Sequence, residues 1–136
     1  MCSKRSKQKG KRKEFEVETI LYKYGFIREP DSGIITGCDL KRVVPGKAIN
    51  YVEVKYRSGG FRTLYKFLEQ SKTSDMLVIQ ASLKERLYVI PESKMLRLLE
   101  EAGYNDIKPE DPGYDLWVYR RRKKKISKKE VKQNDT

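Results

Sequence analysis

Histidine is missing from all 136 residues. With it go the commonest zinc ligand and the commonest general base at neutral pH. Any catalysis in this chain therefore has to run on carboxylates, lysine and metal-bound water. Cysteine is almost as scarce: Cys2 and Cys38 are the only two, a pair with neither zinc spacing nor a disulfide framework. No run of about 18 apolar residues occurs, and the start of the chain carries lysines where a signal core would be apolar. The expected setting is cytoplasmic, with no membrane partner. No internal repeat is visible.

Acid is absent from the first 13 residues, which carry seven Lys or Arg. Residues 120–136 carry nine, against Glu130 and Asp135. The net charge of +12 therefore sits at the two ends, leaving 15 basic and 17 acidic residues between them. A basic N-terminal tail (1–13), one folded domain (14–119) and a basic C-terminal tail (120–136) are the expected organisation. The tails bury too little apolar surface to fold alone and are expected to be disordered. Cationic tails attract polyanions by counterion release, with nucleic acid foremost. Arg120, Arg121, Arg122, Lys123, Lys124 and Lys125 have no apolar face to lay on a membrane.

Between the tails, Val17, Ile20, Leu21 and Tyr24 repeat at helical spacing from Glu14, and Gly25 is placed to stop the turn. Phe26-Ile27-Arg28 opens the next element, residues 30–33 read as a turn, and 34–44 as a strand. Pro45-Gly46 turns the chain into a second strand over 48–57. A helix with Phe61, Leu64, Tyr65 and Leu68 on its apolar stripe follows Gly59-Gly60. Residues 76–80 and 86–90 read as a buried hairpin. Met95, Leu96, Leu98, Leu99 and Ala102 mark a third helix ended by Gly103, and 116–119 a last short strand or packing segment. This order predicts an α/β layer fold, a mixed β-sheet flanked by helices.

The chemistry gathers at Asp39 and at Tyr51-Val52-Glu53-Val54-Lys55. Alternation along a strand puts Glu53 and Lys55 on one face and Val52 and Val54 on the other. An antiparallel hairpin through Pro45-Gly46 would bring Asp39 opposite that face. Two carboxylates and an ammonium then converge, which suits a hard divalent cation, water and phosphate. Such triplets also occur as ordinary charge alternation on a solvated strand. On the first helix, Glu14 borders the apolar stripe, whereas Glu16 and Glu18 lie about 100° from it and should face water. Glu14 is thus either a third acid over the site or a first-turn glutamate favoured by the helix dipole.

Lys9-Gly10, Glu14, Tyr24-Gly25-Phe26, Arg28, Ser32, Asp39 and Glu53-Val54-Lys55 together resemble the archaeal-type Holliday junction resolvases of the PD-(D/E)xK nuclease superfamily. The likeness covers about residues 9–57. It implies a restriction-endonuclease-like fold and hydrolysis of DNA phosphodiesters with Mg²⁺, or Mn²⁺ as a substitute. The metal ligands it implies are Asp39, Glu53 and the Val54 carbonyl, with Lys55 as catalytic lysine and Glu14 assisting. Ser32 matches a serine near the scissile phosphate. A homodimer acting on branched DNA is implied too. The sequence departs from the family in its long basic C-terminal tail and in the Gly59-Gly60-Phe61 approach to the second helix. Arg57, Arg62 and Lys66 are placed to guide a DNA strand, or form a solvated basic face. Two other functions fit the same residues: a repair, phage-type or restriction-like nuclease, or a non-catalytic basic nucleic-acid-binding module.

Overall fold

The computed structural model describes residues 4–29, 38–70 and 73–121, with side chains from residue 10 onward. It is a mixed α/β protein whose two small sheets are both antiparallel among the described residues, so the expected mixing of strand directions is not found there. The chain divides into two compact units, one made of 1–55 and 104–136, the other of Tyr56–Gly103. No described helix is long and apolar enough to cross a membrane.

In the first unit, helix α1 (Lys4–Leu21) runs into a 3₁₀ turn (Tyr22–Tyr24). The helix begins ten residues before the expected Glu14, inside the segment read as a disordered basic tail. Lys, Arg and Gln are good helix formers, so this polar stretch can carry the helix on. Gly25 ends the turn as expected, at φ 89°, a conformation that favours glycine. An added Cβ there would also crowd Ile107 Cδ1 at 3.1 Å.

Strands β1 (Phe26–Arg28), β2 (Leu40–Arg42) and β3 (Tyr51–Val52) follow in meander order. Arg28 pairs with Leu40, and Leu40 with Val52. The hairpin turns where Pro45-Gly46 suggested, with Gly46 at φ 108°. Phe26 and Leu40 are almost wholly buried, and Phe26 stacks on Tyr104 at 6.3 Å. Ile27, Val43 and Val44 form a second cluster with Tyr22, Ile107 and Trp117.

The expected strand over 116–119 is instead part of a helix, α4 (114–121). Tyr114, Trp117, Val118 and Arg121 recur at i, i+3, i+4 and i+7, a helical period that the aromatic content of the short run concealed. Trp117 stacks on Tyr22 with ring centroids 5.1 Å apart, and its indole N–H donates to the Tyr22 carbonyl at 2.9 Å. The Tyr22 hydroxyl donates in return to the Trp117 carbonyl. Just before α4, a Cβ on Gly113 would stand 1.9 Å from the Val43 carbonyl oxygen, so only glycine lets the backbones approach this closely.

Glu18 overturns its expected solvent-facing position. It is fully buried, accepts the Arg28 backbone N–H and receives Arg120 Nε at 3.2 Å. Glu29 N–H bonds inward to the Asp39 carbonyl at 3.0 Å, which leaves the Arg28 N–H on the open edge of the sheet. Glu18 closes that edge. The inward face of α1 centres on Glu14, Val17, Glu18 and Leu21, rotated by about 60° from the apolar stripe at 100° per residue. Arg120, expected in a DNA-binding tail, is engaged with Glu18 inside the fold, and the tail boundary at 119/120 falls within α4.

In the second unit, α2 (Arg62–Gln70) precedes a hairpin of β4 (Leu77–Ile79) and β5 (Leu87–Val89), followed by α3 (Glu92–Glu101). The hairpin has the expected pairing, Val78 opposite Tyr88. It is not buried as expected: Val78, Leu87 and Tyr88 are all exposed. Gly103 ends α3 at φ 77°.

Two outcomes follow from the first unit. Glu18→Gln should lower stability by about 2 kcal/mol or more, because it discharges one member of a buried pair and leaves Arg120 unmatched. Glu16→Gln, on the exposed side with Lys13, should change it by less than about 0.5 kcal/mol. Urea unfolding of both variants measures this. Burial, the main cause, pushes the Tyr22 hydroxyl up to about 12, opposed by Arg121 and reinforced by Glu18. A folded value raised above the unfolded one stabilises the protein fully below about pH 10, and the gain disappears as pH rises towards 12. The stability difference between wild type and Tyr22→Phe should therefore be constant below pH 10 and shrink above it, as read from unfolding midpoints.

Candidate metal centre

Asp39 sits one residue before β2 and is held from three sides. Its N–H donates to the Val52 carbonyl and its carbonyl accepts from Glu29 N–H, both at 3.0 Å. Its carboxylate Oδ2 accepts the Val54 N–H at 2.7 Å. The main-chain ladder of β3 ends at Val52, so the side chain of Asp39 carries the pairing on to Val54. This joins Asp39 to the Glu53-Val54-Lys55 segment, the juxtaposition expected from the hairpin.

Glu53 and Lys55 do share a face, with Lys55 Nζ 3.1 Å from Glu53 Oε1. Both are well exposed, at 44% and 69% of their side-chain surface, so the pair is accessible to a ligand and contributes little to stability. Asp39, Glu53 and the Val54 carbonyl offer oxygen donors alone, which is the donor set a hard cation such as Mg²⁺ takes. In donor chemistry these residues match such an ion.

Glu14 does not join them. Its Oε2 accepts from Arg28 Nε at 2.7 Å, and the Arg28 guanidinium also stands 4.5 Å from the Phe15 ring centre. Arg28 is in register with Leu40, so alternation sends its side chain to the opposite face of the sheet from Asp39. Among the described residues no group of three His, Cys, Asp or Glu side chains is arranged to hold a metal ion. The expectation of Glu14 as a third acid over Asp39 and Glu53 is corrected accordingly: helix phase aimed it at the sheet, and an arginine on the near strand captured it.

The acid that sequence reasoning missed is Glu29. Continuing the β1–β2 register by one residue places it across from Asp39, as their hydrogen bond shows, and its buried side chain pairs with Lys41 at 3.2 Å. The signal was the register: once Phe26 pairs with Arg42, Glu29 must fall opposite Asp39. Ser32 lies outside the described residues, as do Arg122, Lys123, Lys124 and Lys125. Arg121 is exposed at the end of α4. Arg57, Arg62 and Lys66 are exposed residues of the second unit, the last two on α2.

If the Asp39 side chain is what holds Val54, an acceptor at that position is the requirement and a charge is not. Asp39→Asn, with its amide oxygen turned to Val54, should keep the Val54 amide protected in hydrogen exchange by NMR. Asp39→Ala should lose that protection and about 1 kcal/mol of stability. Equal protection in the two variants would remove the side chain from the account of how β3 is extended.

No family model, no curated protein and no solved structure matches this chain, so the reading of the site rests on its own residues and geometry.

Proposed function

We propose that this chain is a metal-dependent DNA endonuclease of the PD-(D/E)xK type, with a restriction-endonuclease-like core, acting on branched DNA as a junction resolvase. The observation that carries the reading is the bond from the Val54 N–H to Asp39, which sets a carboxylate against the segment after β3 that bears an exposed Glu53–Lys55 pair. A nearby helix, an antiparallel meander and a +12 net charge support it further.

Asp39, Glu53 and the Val54 carbonyl would hold Mg²⁺ or Mn²⁺. The ion supplies neutralisation of phosphate charge and a bound water of lowered pKa. Lys55 brings an ammonium to the attacking water or to the charge that develops on the phosphoryl oxygens. Glu53 keeps that ammonium in place until substrate competes for it. Histidine is not needed for any of these roles. Basic segments at the chain ends supply affinity by contacts to phosphates, which position DNA without reading its sequence. A homodimer would present two such sites to two strands of a junction.

The deciding measurement is cleavage of a four-way junction, a flap, a single strand and a linear duplex in Mg²⁺, in Mn²⁺ and in EDTA. Junction cleavage that needs the metal is expected. Asp39→Asn, Glu53→Gln and Lys55→Met should each slow it by at least about a hundredfold while DNA binding changes little, because they act on the transition state and not on affinity. Turnover in EDTA, or undiminished turnover by Asp39→Asn, would sink the metal mechanism. Binding without cleavage of any substrate would leave a nucleic-acid-binding module.

A further inference from the structure

The second unit carries a feature that the nuclease centre does not use. From Tyr56 to Leu68 the sequence has three cations, Arg57, Arg62 and Lys66, four aromatics, Tyr56, Phe61, Tyr65 and Phe67, and no acid. All four rings are exposed, Tyr65 at 63%. Four large rings left in water within thirteen residues cost hydration free energy that a purely structural segment would avoid.

Helix phase sorts them. At about 100° per residue, Arg62, Tyr65 and Lys66 share one face of α2, while Leu64, Phe67 and Leu68 share the other. Leu64 and Phe67 border the β4–β5 hairpin across an open cavity of ≈ 610 Å³. A second cavity of ≈ 620 Å³ lies between Phe61, Leu64, Tyr65 and Leu68 on one side and Val89, Ile90 and Pro91 on the other. Its size and apolar walls suit a flat aromatic ligand. Glu92 also lines it, and repels phosphate, so a bound strand would run its phosphates on the Arg62–Lys66 side.

The approach to α2 is built tightly. Gly60 N–H bonds to the Arg57 carbonyl at 3.3 Å, and a Cβ on Gly60 would stand 2.5 Å from Arg57 Cβ. Phe61 then takes φ 64°, a left-handed conformation that costs about 1 kcal/mol or more for a bulky residue and is characteristic of binding sites. The strain holds an exposed ring at the start of the helix, directly after the turn that folds Arg57 back.

We infer that this face of the second unit binds unpaired nucleotides of DNA, with Phe61 and Tyr65 stacking on bases and Arg57, Arg62 and Lys66 contacting phosphates. Stacking on aromatic rings between cations is how single strands are held without sequence preference. The inference rests on the nuclease reading for its choice of DNA, and names the part of a branched substrate that this unit takes: the unstacked nucleotides at or beside the branch.

The test measures binding of the full chain in EDTA, so that no cleavage is involved. Fluorescence anisotropy compares an oligothymidylate of about 20 nucleotides with a fully paired duplex of matched phosphate number. Tyr65→Ala and Phe61→Gly should each weaken oligothymidylate binding about tenfold and duplex binding less than about twofold. Tyr65→Phe keeps the ring and should bind as wild type. Arg62→Gln with Lys66→Gln should weaken both ligands and reduce the single-strand salt slope by about 1.4. Tyr65 is exposed, and thermal melting of each variant confirms that it stays folded. Unchanged oligothymidylate binding in both ring variants overturns the proposal, as does an equal loss on duplex. It is overturned too if the ring variants instead lose binding to anionic phosphatidylglycerol vesicles, or lose self-association in sedimentation, with oligothymidylate binding intact. Glu16→Gln, outside both proposed sites, should bind the single strand as wild type does. Ring-dependent binding without any cleavage in Mg²⁺ would defeat the nuclease reading and leave this one standing, and cleavage with ring-independent binding would do the reverse.

Discussion

An edge strand has outward N–H groups that must be satisfied, and in the first unit that requirement is met by a buried carboxylate. Glu18 accepts the Arg28 N–H and is itself neutralised by Arg120. A carboxylate cannot be buried without a countercharge, since its desolvation exceeds what one hydrogen bond returns. The chain must therefore return from residue 104 to bring α4 alongside α1 and β1. Tyr22 and Trp117, each donating to the other's carbonyl, set the angle at which α4 arrives. Gly113 lets the backbone before α4 come against Val43. One polar contact thus fixes helix, sheet edge and C-terminal helix together, and β2, which Asp39 leads into, pairs with the other edge of that same strand.

Arg42 plays the complementary role on β2. It is buried with its guanidinium donating to three backbone carbonyls, those of Tyr24, Val44 and Tyr104, and it stands 5.0 Å from the Tyr104 ring centre. Burial, the main cause, pulls its pKa down, with Tyr104 and Asp111 opposing. The three carbonyls belong to the 3₁₀ turn, the start of the hairpin loop and the segment after the second unit, so a single side chain ties three backbone segments together. Tyr104 extends the closure by accepting Ile49 N–H on its hydroxyl at 2.9 Å. Both arrangements place charge in the interior to satisfy backbone, and each ties the residues before the second unit to those after it.

This explains which parts of the structure could be read from the chain. Gly25, Pro45-Gly46 and Gly103 mark their turns by local backbone chemistry, and the β2–β3 hairpin followed from Pro45-Gly46. Glu53 and Lys55 meet as alternation suggested, although the strand expected over 48–57 is reduced to Tyr51–Val52 and the pair lies beyond it. Glu18 was illegible because its burial depends on a partner 102 residues away, and a glutamate off the apolar stripe looks solvated until Arg120 is in place. Glu14 was legible in direction but not in partner: the helix phase aimed it at the sheet, and only the β1–β2 register shows that Arg28 meets it. Residues 116–119 misled because Trp and Tyr raise β-propensity, which tertiary packing against Tyr22 overrides.

The candidate centre itself lies at the border between what the fold fixes and what it leaves open. Asp39 is bound through its N–H, its carbonyl and one carboxylate oxygen, so its position is set by the sheet. Glu53 and Lys55 project from a segment past the end of β3 and are exposed. A site assembled this way has one rigid member and two that can adjust, which suits an ion that binds with phosphate and water as further ligands. Burying Glu53 and Lys55 to the degree of Glu18 would strengthen their pairing and close the site to substrate. On the proposed nuclease reading, their exposure gives up stability at the place where an incoming anion would compete for the ammonium.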